Sequence, residues 1–234
     1  MSQQFRPVGS FSILPPVIKN LIIINVIIYL LKIALQNMNF DLDYLLGLFY
    51  WESPYFRFWQ PLTHIFMHGN FTHLLFNMFA LWMFGNVVEN VLGTKKFLIL
   101  YFVSGFGAAL CQLMVYHYQL HDLVQLIQTY PDQYGAYLTS RNSPLNVPMI
   151  GASGAVFGVL FAFGFMFPNQ LIYFYFLFPI KAKYFIAGYA ALELFSGLKG
   201  NINDNVAHFA HLGGMLFAYL LFVYWKKNGT LFLR

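Results

Sequence analysis

The sequence predicts an all-α, polytopic membrane protein with six transmembrane helices and both termini on the cytoplasmic side. Hydrophobic residues make up 59% of the 234 positions and charged residues only 9%, a composition too apolar for a soluble domain. Six stretches approach the roughly 20 apolar residues that a helix needs to cross a bilayer. The basic residues gather at the ends of these stretches, so the net charge of +5 indicates topology, and no nucleic-acid partner is expected.

The six apolar segments follow one another along most of the chain. They are residues 17–35, 71–88, 97–116, 152–167, 184–198 and 206–225. The fourth is short, so its ends should lie within the depth of the membrane. The membrane domain is therefore predicted at residues 17–226, with tails at 1–16 and 227–234. The N-terminal tail has no basic region leading into a short apolar core, so no removable signal peptide is expected.

The connections between these segments differ in character. Residues 37–61 are rich in aromatic side chains, which favours a segment lying at the membrane interface. Residues 118–148 form a polar loop, in which residues 121–130 have helical periodicity but too few apolar positions to span. Residues 168–183 are interpreted as an interfacial connection. Cys111 is the only cysteine, which excludes an intramolecular disulfide.

The distribution of basic residues predicts the orientation of the chain. With the N-terminus inside, nine of them lie on the cytoplasmic side: Arg6, Lys19, Lys95, Lys96, Lys181, Lys183, Lys226, Lys227 and Arg234. Three lie on the opposite side: Arg57, Arg141 and Lys199. The positive-inside rule then places both termini in the cytoplasm and the start of the fourth span toward the outer face. The short tails favour a bacterial inner (plasma) membrane over an organelle.

The fourth span begins with a serine among small residues. Ser153 precedes Gly154, and Gly158 follows one helical turn later. This spacing lets a neighbouring backbone approach closely, and most such serines in membrane helices only pack or bond back to a carbonyl. Ser153 is therefore either a packing residue or a nucleophile, and the polar residues of other spans must decide between the two.

Polar and ionisable side chains inside spans are costly in lipid, so each is a candidate for function. They are His73 and Asn77 in the second span with His64 and His68 before it, Glu193 in the fifth, and His208 and His211 in the sixth. Several histidines near two helices could bind a metal or haem. Against this, no carboxylate or cysteine accompanies them in their own spans, and the His-Glu-x-x-His pattern is absent. Glu193 is interpreted as satisfying nearby donors.

Nucleophilic hydrolysis is the other interpretation. Ser153 needs a base to accept its proton, and the neutral imidazole of His211 can do so near physiological pH. The oxyanion that forms needs donors, which the unpaired N–H groups at the start of the fourth helix could provide. The amide of Asn77 and the imidazole of His73 could add to them. The sequence alone does not show that these groups converge.

Three motifs occur in order on three predicted spans. They are His68 to Asn77, with His73 between them, Gly151 to Gly154 around Ser153, and Ala210 to Gly214 around His211. Together they resemble those of the rhomboid intramembrane serine proteases, over about residues 17–226. The resemblance implies a Ser153/His211 dyad, with Ser153 as the nucleophile and His211 as the general base and later acid. It also implies an oxyanion hole formed by His73, Asn77 and the N–H of Ser153.

The resemblance also implies supporting roles. His68 would brace the loop before the second span, and Gly151 opens the nucleophile motif. Gly214 and Ala218 stand where the family has a Gly-x-x-x-Gly helix contact, and the small side chain of Ala218 preserves that character.

Two positions depart from the family pattern, and a third offers an alternative to the proposed base. Gln60 follows Trp59 where many members have arginine, so a charge contact made by that arginine would be missing. Phe157 replaces a tyrosine that often packs on the catalytic imidazole, which keeps stacking but loses a hydroxyl bond. His208 competes with His211 for the role of base, and the Leu-Gly-Gly sequence after His211 favours the latter.

The predicted function is therefore that of an intramembrane serine endopeptidase, without a cofactor or metal, acting on single-span membrane proteins in the lipid bilayer. One alternative is a non-catalytic relative that binds transmembrane clients, which is expected to lack the serine or the histidine. Another is a metal or haem carrier, which predicts stoichiometric metal in the purified protein.

Overall fold

The computed structural model describes residues 11–174, 178–199 and 207–231, and the chain is mostly helical within these ranges. In chain order the elements are α1 (Pro16–Gln36), α2 (Leu42–Leu46), α3 (Gln60–Thr63), α4 (Phe71–Leu92), α5 (Thr94–Thr129), α6 (Pro131–Tyr134), α7 (Ala136–Thr139), α8 (Ser153–Met166), β1 (Leu171–Phe174), β2 (Phe178–Lys181), α9 (Ala182–Lys199) and α10 (His208–Lys227). Single 3-10 turns occur at His64–Phe66 and Pro144–Asn146.

Four of the described helices, α1, α4, α5 and α10, are long and apolar enough to cross a membrane. Helix α8 is apolar but has only 14 residues, and α9 is not among the four. The helical, multi-pass architecture is thus as predicted, whereas the count of six spans and the orientation of the termini stay predictions. Residues 1–10 and 232–234 of the two predicted tails, and residue 206 at the predicted start of the sixth span, lie outside the described residues.

The predicted polar loop at residues 118–148 was wrong in its first part. Helix α5 does not stop near residue 116 but continues to Thr129, because no glycine or proline interrupts the chain between Gly107 and Pro131. At 36 residues and 1.5 Å per residue it is about 54 Å long, well beyond the roughly 30 Å of a hydrocarbon core. His117 and His121 lie on this extension of the helix.

Residues 168–183 also differ from the prediction. This connection contains the antiparallel strands β1 and β2, with Ile172 opposite Ile180 and Leu171 opposite Lys181. The β-branched and aromatic residues of this segment favour extended backbone, and the two strands pair the backbone groups that face each other. The all-α class is therefore correct for the helical body but not for this hairpin.

The centre of the molecule is formed by α5, α8 and α10, which approach one another at their glycines. A Cβ atom added at Gly214 of α10 would overlap the carbonyl oxygen of Gly154 on α8. One added at Gly158 would lie 3.0 Å from the carbonyl oxygen of Gly214 and would overlap Ser104 of α5. Small residues in this spacing let helix backbones touch, so the start of α8 is held directly against the start of α10.

The connection between α1 and α4 folds over this centre and is fastened by buried polar contacts. The Gln60 side chain is fully buried; its Oε1 accepts from the N–H of Arg57 at 3.0 Å, and its Nε2 donates to the carbonyl of Tyr55 at 2.9 Å. These contacts are local to the loop and carry no charge. A neutral amide thus stabilises the loop at the position where arginine was expected from the family pattern.

Candidate active site

The backbone before Ser153 is held on both sides. Met149 and Leu48 exchange two backbone hydrogen bonds of 2.8 and 2.9 Å, and the N–H of Gly151 donates to the carbonyl of His64 at 3.0 Å. Gly151 has φ of 140°, in the region where a side chain is strained. A Cβ there would also lie 2.9 Å from the Nε2 atom of His73. Glycine is therefore required at this turn, which directs the chain into α8.

Ser153 and His211 meet where α8 and α10 begin. The Nε2 atom of His211 lies 2.8 Å from Oγ of Ser153, which is an ordinary hydrogen-bond distance. Ser153 is the first residue of α8, so its own N–H has no acceptor within the helix. The His211 side chain is buried, with 8% of its surface exposed. A hydroxyl, an imidazole and a free helix N–H thus lie together.

Phe157 fixes the plane of this imidazole. Its ring lies one turn after Ser153 and stacks on His211 with centroids 4.2 Å apart and planes 4° from parallel. Tyr189 of α9 meets the edge of Phe157 at a centroid distance of 5.9 Å. The aromatic pair therefore limits tilting of the His211 ring.

His208 does not contact Ser153 in the way that His211 does. Its Nδ1 atom instead lies 2.6 Å from Oε2 of Glu193 on α9. The same oxygen is 3.0 Å from Nδ1 of His211. The N–H direction of His211 is poorly aligned with that oxygen, so this second contact has the distance of a hydrogen bond but not its geometry. One carboxylate oxygen thus faces both imidazoles of α10.

The candidate oxyanion residues lie on the first turns of α4. The ring of His73 adjoins Gly151, as described above, and lines the same cavity as Ser153 and His211. The Nδ2 atom of Asn77 donates to the carbonyl of His73 at 3.1 Å, and Asn77 is not among the residues that line the cavity. The structure therefore brings His73 to the site directly and Asn77 to the turn behind it.

His68 lies behind His73 and is anchored through its backbone. Its ring meets the ring of His73 edge to face at 5.1 Å, and its carbonyl accepts from Nζ of Lys32 at 2.9 Å. Lys32 is itself buried and pairs with Asp43 at 2.6 Å. Burial lowers the pKa of His68 to about 3, so this imidazole is neutral at physiological pH. These contacts make His68 part of the packing that supports the loop.

The site opens into a cavity of about 1000 Å³. Its lining includes His73, Gly151, Ser153 and His211, together with Gln112 and Gln119 of α5. The volume is that of a typical ligand pocket. Amide groups and histidine rings contribute polar atoms to its wall, beside the Ser153 hydroxyl.

A metal site can also be considered at this position. The possible donor atoms of Glu193, His208 and His211 all lie within 4.8 Å of one another. Oε2 of Glu193 is within hydrogen-bond range of Nδ1 of both His208 and His211. A proton on each imidazole can explain these two contacts. An ion held here would occupy Nδ1 of the imidazole whose Nε2 faces Ser153.

The fold and the site define a helical multi-pass membrane protein in which a serine and a histidine on adjacent helices share a hydrogen bond. Comparison with known families assigns it more closely, because the Rhomboid domain family matches residues 55–227. The chain belongs to the rhomboid family.

Individual relatives agree with this assignment. The Bacillus subtilis protein YdcA, whose name marks it only as a candidate rhomboid protease, is 31% identical over 167 residues, or 70% of this chain and 66% of that protein. Mitochondrial Rhomboid protein 1 of Saccharomyces cerevisiae is 30% identical over 162 residues, which are 69% of this chain and 40% of that protein. Rhomboid protease GlpG of Yersinia pestis is 38% identical over 65 residues, which are 26% of this chain and 23% of that protein. This chain therefore spans less than two thirds of each relative.

Sequence reasoning missed the contact between Glu193 and His211. Glu193 had been interpreted as satisfying nearby donors, which its contact with His208 does, but not as touching the imidazole beside Ser153. The available signal was a carboxylate in an otherwise apolar segment, which lipid tolerates only with a partner. Nothing in the sequence identified that partner.

Proposed function

We propose that this chain is an intramembrane serine endopeptidase in which Ser153 is the nucleophile and His211 the general base. Oγ of Ser153 attacks the scissile carbonyl carbon while its proton passes to Nε2 of His211. The imidazolium then protonates the departing amine. Water entering through the cavity hydrolyses the acyl-enzyme, with His211 again taking a proton.

The negative charge on the carbonyl oxygen needs donors during attack. The N–H of Ser153 has no acceptor inside α8. A Cβ added at Gly151 would lie 2.9 Å from Nε2 of His73 and 3.5 Å from Oγ of Ser153, so the His73 ring is close to the nucleophile. We assign these two groups, with the second amide hydrogen of Asn77, to the oxyanion hole. Such donors lower the barrier because they are already oriented when charge develops.

We further propose that the substrates are single-span membrane proteins. A transmembrane helix pairs its own backbone groups, so the segment to be cut must unwind before it can reach Ser153. Helix-breaking or small residues are therefore expected near the cleaved bond. We also propose that the chain crosses the membrane six times, with α8 and α9 counted as spans. Both termini would then be cytoplasmic, and Ser153 would lie toward the outer face of a bacterial inner membrane. The named yeast relative is mitochondrial.

The single observation that carries the proposal is the 2.8 Å contact between Oγ of Ser153 and Nε2 of His211. It is tested with the purified full chain reconstituted in liposomes with a labelled single-span protein. We expect cleavage by the unaltered protein and none above background in Ser153→Ala. Cleavage that persists in Ser153→Ala would contradict the proposal.

The non-catalytic alternative has its own outcome in this assay. A protein that only binds transmembrane clients would retain the labelled protein uncut and would leave its serine unreactive toward a fluorophosphonate. The presence of both Ser153 and His211, in contact, favours the enzyme.

A further inference from the structure

The carboxylate of Glu193 lies behind the catalytic pair proposed above. Its side chain is 12% exposed, and its Oε2 atom lies 3.0 Å from Nδ1 of His211 and 2.6 Å from Nδ1 of His208. A carboxylate buried in a membrane protein is retained only where a partner offsets its cost. His208 alone would satisfy Oε2, so the approach to His211 requires a separate explanation.

The tautomer of His211 supplies that explanation. Nε2 faces the hydroxyl of Ser153 and must be without a proton to accept from it. A neutral imidazole then carries its proton on Nδ1, the edge that faces Glu193. Stacking on Phe157 cannot select this state, because a ring flipped about its Cβ–Cγ bond would stack equally well. A negative oxygen beside Nδ1 does distinguish the two.

We propose that Glu193 is a positioning residue for His211, so that this rhomboid works with a Ser-His-Glu arrangement rather than a dyad alone. This inference rests on the proposed function. As Oγ bonds to the carbonyl carbon, the Oγ–H bond breaks, its proton moves to Nε2, and the carbonyl electron pair moves onto oxygen. The Nδ1 proton stays on the ring. Glu193 neither gains nor loses a proton; its charge stabilises the imidazolium.

His208 has a supporting part in this arrangement. It lies three residues before His211 on α10, so both imidazoles are on one face of the helix. Its shorter contact ties Oε2 to α10 and leaves the His211 contact less well aligned. We expect the alignment with His211 to improve when that ring becomes positively charged, because the attraction to Oε2 then increases.

The first test is Glu193→Gln in the reconstituted cleavage assay. Glu193 is not among the residues that line the cavity, so KM should stay within about threefold while kcat falls by about 100-fold. That loss is smaller than the about 10⁴-fold caused by changing a triad aspartate to asparagine, because the contact between Glu193 and Nδ1 of His211 is less well aligned. Glu193→Asp should recover about tenfold of the loss. Unchanged kcat in Glu193→Gln would overturn the proposal.

A spectroscopic test does not depend on the variant's activity. In the unaltered protein with ¹⁵N-labelled histidine, we expect His211 to be the Nδ1–H tautomer, with its proton resonance shifted downfield by the carboxylate. An Nε2–H tautomer in the unaltered protein would overturn the proposal. If Glu193→Gln fails to fold, the proposal is tested by this measurement and by the rate at which a fluorophosphonate labels Ser153 in Glu193→Asp. Labelling of Glu193→Asp at the rate of the unaltered protein would contradict the proposal.

Two matched variants separate positioning from structure. Glu89 is also buried, but its two oxygens accept from the N–H groups of Val17 and Ile18 at the start of α1. Glu89→Gln should lower the melting temperature and leave kcat within twofold below it. His208→Phe should cost less than tenfold in kcat. A loss in His208→Phe equal to that in Glu193→Gln would mean that the carboxylate only anchors α10.

Failure of this inference differs from failure of the proposed function. Cleavage by Ser153→Ala would remove the function itself. An inactive Ser153→Ala together with full kcat in Glu193→Gln would remove only the role of Glu193.

Discussion

The two sides of the candidate site are built in different ways. Helices α8 and α10 meet through backbone, since Gly214 leaves no room for a Cβ atom beside the carbonyl of Gly154. Helix α9 meets α8 through side chains instead: a Cβ added at Gly164 of α8 would overlap Cδ1 of Ile186. Gly188, also on α9, has nothing within 4 Å.

This difference indicates which part of the site is rigid. Backbone atoms in contact cannot move without shifting whole helices, whereas the end of an isoleucine side chain can adopt another rotamer. Ser153 and His211 lie on the backbone-packed pair, so their distance is fixed by the fold. Glu193 lies on α9, so its contact with His211 depends on a helix that can adjust.

The largest effect is expected at the backbone contact. Gly214→Ala places a methyl group against the Gly154 carbonyl, which cannot yield, and should cost about 3 kcal/mol or more. The displaced helices should also separate Ser153 from His211. Thermal unfolding in detergent and the rate of Ser153 labelling measure the two consequences. A variant with normal stability and labelling would show that the contact is not rigid.

The pH dependence of stability tests the rigid side through His64, which lies before α4. The carbonyl of His64 accepts from the N–H of Gly151. Burial lowers the pKa of its imidazole from 6.5 to about 4. The unfolded chain therefore binds the proton more readily, and this contribution to stability, complete above pH 6.5, decreases as the pH falls toward 4. Between pH 8 and pH 5 the loss is about 2 kcal/mol.

The measurement is the melting temperature across this pH range, with His64→Asn as the control. The control should be less stable at pH 8 but should depend less steeply on pH. Parallel curves for the two proteins would exclude His64 as a source of the acid sensitivity.

A smaller effect is expected where the neighbour is a flexible side chain. Gly164→Ala meets Cδ1 of Ile186, which can rotate away, so the cost should be about 1 kcal/mol. Thermal unfolding gives the value, and kcat should stay within about threefold because Ser153 and His211 do not move. A cost as large as that of Gly214→Ala would erase the proposed contrast between the two sides.

The smallest effect, of opposite sign, is expected at Gly188. Alanine there meets open space on α9 and has the higher helix propensity, so Gly188→Ala should stabilise by about 0.5–1 kcal/mol. The melting temperature should rise slightly in the same detergent. A clear decrease would indicate that this face of α9 is covered in the membrane.

How much the sequence predicted follows the same division. The rigid pair was foreseeable, because Ser153 and His211 each lie in a local motif and the glycines around them have helix-packing spacing. The contact of Glu193 with His208 and His211 was not, because it depends on the rotation of α9 against α10, and a helix's own sequence does not record this. Most residues of α9 are exposed, so its sequence has no distinct buried face from which its rotation could be predicted.

Two features of the fold were missed for different reasons. Residues 121–130 have the predicted helical periodicity, but their continuity with α5 is not evident from the sequence, because apolar residues become sparse after residue 116. The helix itself needs only the absence of helix-breaking residues. The β1–β2 hairpin was hidden because short apolar runs do not distinguish strand from helix. In both segments, hydropathy alone does not determine the secondary structure.

The most direct test of the central claim is fluorophosphonate labelling of the purified protein, with the modified residue located by mass spectrometry. We predict labelling at Ser153, none in Ser153→Ala, and a rate at least about 100-fold lower in folded His211→Ala, because the base would be gone. Labelling of Ser153 at an undiminished rate in His211→Ala, or none in the unaltered protein, would contradict the account.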